Sequence, residues 1–245
     1  MVQINGMHYK NILANFLSVL FLLSCSEESK LIFNETDFSN DENAVVEVII
    51  PMASGNDNTV VNTINSTLSS YVIKSLKIGD QETPNAKTIE EGIANFNADF
   101  ESFKNGFPEA LPWDAQIDGE VMYQSPEIIS ISLSAYLNTG GAHGNLTITF
   151  LNFDAVTGKL IKNEGLFNNM NAFKKIAQTN FDDTIEDKNV LFDPQSFQLP
   201  ENIGFNEEGI ILLYNTYEVA PYATGIIEFT IPFNEVSTYL NFNGS

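Results

Sequence analysis

The chain contains a single cysteine, Cys25, so whatever it folds into must hold together without an internal disulfide or a cysteine-built metal cage. Stability has to come from an apolar core. The roughly 220 residues from Cys25 onward are enough for one large or two small domains, and 19 phenylalanines supply aromatic volume for their interior. The cysteine directly follows an apolar stretch from Ile12 to Leu23. That stretch is shorter than the ~20 residues that cross a bilayer as a helix. It begins after Lys10 and ends in a small residue, which is the pattern of a secretory signal.

Leu22-Leu23-Ser24-Cys25 resembles the lipobox of bacterial lipoproteins. The resemblance implies cleavage before Cys25, with acylation of that thiol and of the new amino terminus, and two or more acyl chains make a stable anchor. The expected organisation therefore starts with a signal peptide over 1–24 and a lipidated Cys25 on a tether over 25–43. The expected location is the bacterial cell envelope, at the outer membrane. Ser26-Glu27-Glu28-Ser29 also resembles the surface-export signal of Bacteroidetes lipoproteins, while a plain solvated tether accounts for it equally.

The formal charge is −21, from 32 acidic residues against 11 cations, every one of them lysine. A chain this acidic and without arginine repels phosphate backbones and anionic headgroups, so nucleic acid is excluded as a partner class. A cationic partner would be drawn in by the field.

From Ser26 to Asn43 the sequence is polar around Leu31-Ile32-Phe33, which fits a tether. Val45 to Ile50 reads as a strand, and Val60, Ile64, Leu68 and Val72 repeat at helical spacing after the turn residues 54–58. Thr88 and Glu91 form a capping box before Ile89, Ile93, Phe96, Phe100 and Phe103, with Gly106 at the end; this aromatic stripe is expected to face the core. Period-two patterns over 116–123, 128–137, 146–153 and 159–161 predict successive antiparallel strands. A helix over 171–181, a loop through Pro194 and Pro200, strands over 210–214 and 226–231, and a short helix over 233–240 complete the chain. Without strict βαβ alternation the expected class is α+β, an antiparallel meander with helices packed on it in two intimately joined subdomains, 44–150 and 151–245.

His143 is the one histidine after the signal stretch, in Asn138-Thr139-Gly140-Gly141-Ala142-His143-Gly144. No cysteine or second histidine can join it in a zinc site, and no twelve-residue calcium loop exists, although carboxylates around Asp182, Asp183 and Asp187 could approach one another. No metal and no cofactor is expected. A hydrolytic triad would need His143 as its base, and no Gly-x-Ser-x-Gly elbow accompanies it. The simpler expectation is a tight hairpin with positive φ at Gly140 and Gly141, and with His143 bonded to nearby backbone. The segment Tyr214-Asn215-Thr216-Tyr217-Glu218-Val219-Ala220-Pro221-Tyr222-Ala223 gathers three tyrosines, a carboxylate and a proline. Such rings serve either to recognise a ligand or to tie a loop to its scaffold.

The run Tyr136 to Gly144, the later Asn152-Phe153-Asp154 and Thr157-Gly158-Lys159, and Glu208 through Gly225 together resemble a tandem of bacterial domains of unknown function. The tandem occurs in the extracytoplasmic part of the anti-sigma factor RsiV and in the N-terminal part of the peptidoglycan deacetylase PdaC. The resemblance covers roughly Val45 to Leu240 and makes 151–245 the RsiV-like subdomain. In RsiV the equivalent region binds lysozyme; in PdaC it accompanies a separate catalytic domain, which this chain lacks, as it lacks a sigma-binding segment. What the resemblance implies is a non-enzymatic binding module for a protein or for cell-wall glycan (peptidoglycan), with candidate contact residues Tyr136, Gly140, Gly141, His143, Tyr217, Glu218 and Tyr222. A peptidoglycan hydrolase using His143 and Glu218, or a purely structural envelope protein, are the rival expectations.

Overall fold

A computed structural model describes residues 31–39, 45–79 and 86–242. Cys25, the signal stretch 1–24 and half of the expected tether lie outside them. Among the described residues no helix is long and apolar enough to cross a membrane.

The first half is a five-stranded sheet in the order β1 (Ile32–Asp37), β2 (Val45–Ser54), β3 (Asp114–Gln124), β4 (Ile128–Asn138), β5 (Asn145–Asp154). The helices α1 (Asn58–Ser75) and α2 (Ile89–Gly106) lie between β2 and β3 in sequence. This two-helix crossover returns the chain to the end where β2 began, so β2 and β3 pair in parallel while every other pair in the sheet is antiparallel. The meander predicted from alternation thus holds from β3 to β5, and the helices impose one parallel pairing before it.

Both helices start as their sequences dictate. Asp57 accepts hydrogen bonds from the amides of Thr59 and Val60, and Thr88 accepts from Glu91 while the Glu91 carboxylate reaches back to the Lys87 amide. Val60, Ile64, Leu68 and Val72 of α1 meet Ile93, Phe96 and Phe100 of α2 over Ile129, Ile131, Leu133 and Ala135 of β4, forming the first core. Phe103, one turn beyond Phe100, departs from the expectation for the stripe: it retains 37% of its surface.

The stretch expected to be tether is in part a strand. Ile32–Asp37 pairs antiparallel with β2, Leu31 is buried with its carbonyl accepting from Gln124 Nε2, and Phe33 and Phe38 pack on the first core. Few apolar residues are needed when half of an edge strand faces water, which is why composition alone resembled a linker.

The second half contains the one-turn α3 (Asn163–Leu166), α4 (Met170–Thr184), an antiparallel three-stranded sheet of β6 (Asn202–Phe205), β7 (Gly209–Tyr214) and β8 (Ile227–Pro232), and the short α5 (Phe233–Val236). Phe173 and Ala177 of α4 pack on Ile203, Phe205, Ile210 and Leu212, and Tyr123 and Ile128 of the first sheet belong to the same core. The predicted strand over 159–161 is reduced to one bridge, Phe153 to Leu160, because the chain turns off at once toward α3. Conversely, β6 lies in what the prolines made a loop. It is held by side chains rather than by a ladder to the first sheet: Ser130 Oγ accepts from Phe205 N, Asn152 Nδ2 donates to Ile203 O at 2.7 Å, and Asn202 Oδ1 accepts from Phe150 N. These buried polar groups join the two halves.

Candidate functional site

The hairpin between β4 and β5 reverses over residues 139–144. Asn138 Oδ1 accepts from Gly140 N at 3.1 Å, and Gly140 takes φ +86, a conformation that side chains rarely tolerate. Gly141, expected to share it, stays outside the left-handed region; one such residue suffices to turn the chain.

Gly144 is the hub of the site. It is buried, and a Cβ built on it would run into the Tyr136 ring. Its carbonyl accepts from His143 Nδ1 at 2.9 Å and from the Tyr222 hydroxyl at 3.3 Å. A carbonyl can only accept, so the imidazole carries its proton on Nδ1. The His143 and Tyr222 rings stack with centroids 4.0 Å apart, and Tyr217 stands 5.7 Å from Tyr222. Two sequence motifs nearly eighty residues apart therefore meet around one peptide group, and Tyr136, His143, Tyr217 and Tyr222 form a partly exposed aromatic cluster.

The second motif is fixed by polar side chains. Asn215 mimics a strand residue against β5, its Oδ1 accepting from Ile148 N and its Nδ2 donating to Ile148 O, both at 2.8 Å. Glu218 accepts from Glu201 N at 2.8 Å and from Asn215 N at 2.9 Å, one bond to each oxygen. Between them Tyr217 takes φ +68, a strained value for a non-glycine residue, and is 58% exposed. Of the three tyrosines in the motif, Tyr214 is the scaffold tie: it is buried and its hydroxyl donates to Gln198 O at 2.7 Å. Burial, and secondarily the Glu218 charge, raise its pKa.

Burial pushes the half-buried Glu218 carboxyl above its ordinary value of 4.5, against the two amide bonds, with the nearby Glu201 charge adding to the rise. The folded state then binds this proton more tightly than the unfolded chain does. The carboxyl's contribution to stability is full below the unfolded pKa and is lost as pH rises through the folded value. Glu218→Gln is expected to remove that term, so the melting temperatures of the two proteins should diverge as pH is lowered from neutrality into the acidic range just above 4.5. Parallel pH profiles would contradict it.

Among the described residues His143 and Glu218 neither donate to nor accept from one another; each is engaged by backbone. No three His, Cys, Asp or Glu side chains among them converge as a metal site. Of the carboxylates that could have approached one another, Asp182 pairs with Lys188 Nζ at 2.8 Å and Asp187 caps a short turn by accepting from Asn189 N. What the arrangement can do is present rings, a hydroxyl and an imidazole Nε2 on a rigid backbone.

Beside the same hairpin lies a cleft of about 610 Å³, lined by Phe103, Phe107, Pro108, Leu111 and Pro112 on one side and by Asn138, Gly140 and Gly141 on the other. Two of the candidate contact residues, Gly140 and Gly141, line this cleft. Gly144 and Asn215, which organise the aromatic cluster, were not among the candidates although both lie in the two motifs. The apolar loop 107–112, with two prolines, was the available sign of the cleft.

Residues 38–146 match a family model described as Deacetylase PdaC, and residues 152–234 match one described as a protein of unknown function, DUF3298. No curated protein matches the chain. Among solved structures it is similar to a member of the DUF3298 family from Bacteroides fragilis NCTC 9343, at 20% identity and a TM-score of 0.66 over 88% of this chain and 96% of that one. It is also similar to a DUF3298 family protein from Pseudomonas aeruginosa PAO1, at 19% identity and a TM-score of 0.56 over 88% and 95% of the two chains. At these identities the likeness establishes the α+β fold. His143 and Gly144 fall in the first matched segment, and Tyr217 and Tyr222 in the second.

Proposed function

The chain carries a PdaC domain followed directly by a DUF3298 domain, and from that premise we propose that it is a lipid-anchored envelope protein whose paired domains act as a non-enzymatic binding module. Its ligand is a cationic protein of the lysozyme type or the cell-wall glycan, and its recognition surface is the aromatic cluster of Tyr136, His143, Tyr217 and Tyr222. The observation that carries this reading is the His143–Tyr222 stack on the Gly144 carbonyl, which unites the two domains in one partly exposed surface. Aromatic rings with polar tips suit both a sugar face and a protein hot spot. The engagement of His143 Nδ1 and of both Glu218 oxygens by backbone favours binding over hydrolysis.

Leu31, the first described residue, lies far from the aromatic cluster. Leu31 bonds Gln124 at the last residue of β3, whereas Asp114, the first, pairs with Asn138 at the base of the hairpin loop. The strand spans eleven residues, so its two ends lie about 33 Å apart at ~3.3 Å per residue. Leu31 and the aromatic cluster thus sit at opposite ends of β3.

The test is retention of residues 26–245 on purified peptidoglycan and, separately, on immobilised lysozyme at low and moderate salt. Retention on one of them at both salt levels is expected, with Tyr222→Ala lowering it at least tenfold through loss of the stack. Binding abolished by modest salt would reduce the association to charge alone. No retention on either matrix would overturn the reading.

A further inference from the structure

We propose that the cleft between the end of α2 and the β4–β5 loop is a separate binding site for a cationic amphipathic peptide segment. Its apolar side chains would rest on Phe103, Phe107 and Leu111, and its positive charges would face Glu109 and the C-terminal end of α2. The proposal extends the binding-module reading to a second site and does not depend on what the aromatic cluster binds.

The apolar wall of the cleft is open to solvent. Leu111 is 79% exposed, more than any other large apolar side chain among the described residues, and Phe107 is 60% exposed. Phe107 is stacked on Phe103 at 4.8 Å, so the two rings form a fixed wall rather than a loose pair. Gly140 and Gly141 opposite present bare backbone, and the volume of about 610 Å³ is that of a site for several side chains.

The cleft's charge comes from what surrounds it. Glu109 lines it, and the C-terminal end of α2, with its partial negative charge, opens into it at Gly106. Lys104, the cation of the helix's last turn, lies over the Phe100 ring at 5.7 Å and is not among the lining residues. The chain's net charge of −21 favours the same sign of ligand at long range.

Trp113 is the only tryptophan in the chain and lies 5.5 Å from Phe103, so its emission reports on the cleft wall. The experiment titrates residues 26–245, which contain every described residue, with a twelve-residue peptide of leucine and lysine. Controls are the same peptide with glutamate in place of lysine and one with serine in place of leucine. Saturable binding of the leucine–lysine peptide is expected, at least tenfold tighter than of either control. Leu111→Ser and Phe107→Ser, at exposed positions, are expected to weaken it at least tenfold with unchanged melting temperature, while Tyr222→Ala leaves it intact. Equal binding of the glutamate peptide, or undiminished binding by both cleft variants, would overturn the proposal. So would loss of peptide binding in Tyr222→Ala alone, which would move the peptide to the aromatic cluster.

Discussion

Alanine at Asn215 is expected to lower global stability by about 2 to 4 kcal/mol and to free the loop that carries Tyr217 and Tyr222. The side chain supplies both a donor and an acceptor to the Ile148 peptide, and its own amide is bonded by Glu218. Removing it leaves a partly buried N–H and a C=O of β5 without partners, each worth about 1–3 kcal/mol when stranded. Asn215→Asp keeps the acceptor but sets a carboxylate oxygen against the Ile148 carbonyl, so it should cost at least as much as alanine. Equilibrium denaturation of the three proteins would measure the series. A cost below about 0.5 kcal/mol for alanine, the range of an ordinary surface change, would mean that the clip does not hold the loop. Retention on the ligand matrix should fall in the same order, since the Tyr222 ring cannot stay over His143 once the loop is released.

Gly144→Ala should have the largest effect on binding for the smallest change in atoms. A methyl at this position meets the Tyr136 ring, and the carbonyl of the same residue holds both His143 and Tyr222. Either Tyr136 leaves its place or the peptide rotates, and in both cases the aromatic cluster loses its geometry. The expected outcome is at least tenfold weaker retention with a stability cost of about 1–3 kcal/mol, as for other overpacked sites. Adding Tyr136→Ala removes the clash, so the double variant should recover stability relative to Gly144→Ala; such non-additivity is expected only of residues in contact. Additive losses would show that the two do not meet.

Much of the fold was legible because it follows from local rules. The capping residues Asp57 and Thr88 and the apolar spacing of Val60 to Val72 and of Ile89 to Phe100 act within one helix, so the extent of α1 and α2 and the face each buries follow from local sequence. Alternation over 128–137 likewise marks β4, whose odd positions face the first core. What misled was context. Ile32–Asp37 resembles a tether in composition and becomes a strand only because β2 offers an edge. Phe103 belongs to the same stripe as Phe96 and Phe100 yet lines a cleft, because burial of a helix face ends where its partners end.

The candidate site was legible in its residue types and not in its construction. His143, Tyr217 and Tyr222 stand out in a sequence with few histidines and a dense tyrosine segment, but nothing in one dimension says that they share a carbonyl. Glu218, a candidate contact residue by its place in the tyrosine segment, is a structural acceptor for two backbone amides.

The sequence by itself therefore determined both long helices, the β3–β5 meander, the mixed class, the absence of any disulfide within the chain and the acidic field, since each depends on residue identity and local spacing. Only the tertiary structure decided the parallel pairing of β2 with β3, the strand made from residues 32–37, and the meeting of two distant motifs at Gly144. Those outcomes depend on which unpaired backbone groups and apolar surfaces find one another across the folded chain. Pairing across that distance is governed by the complementarity of surfaces that exist only after the helices and strands have formed.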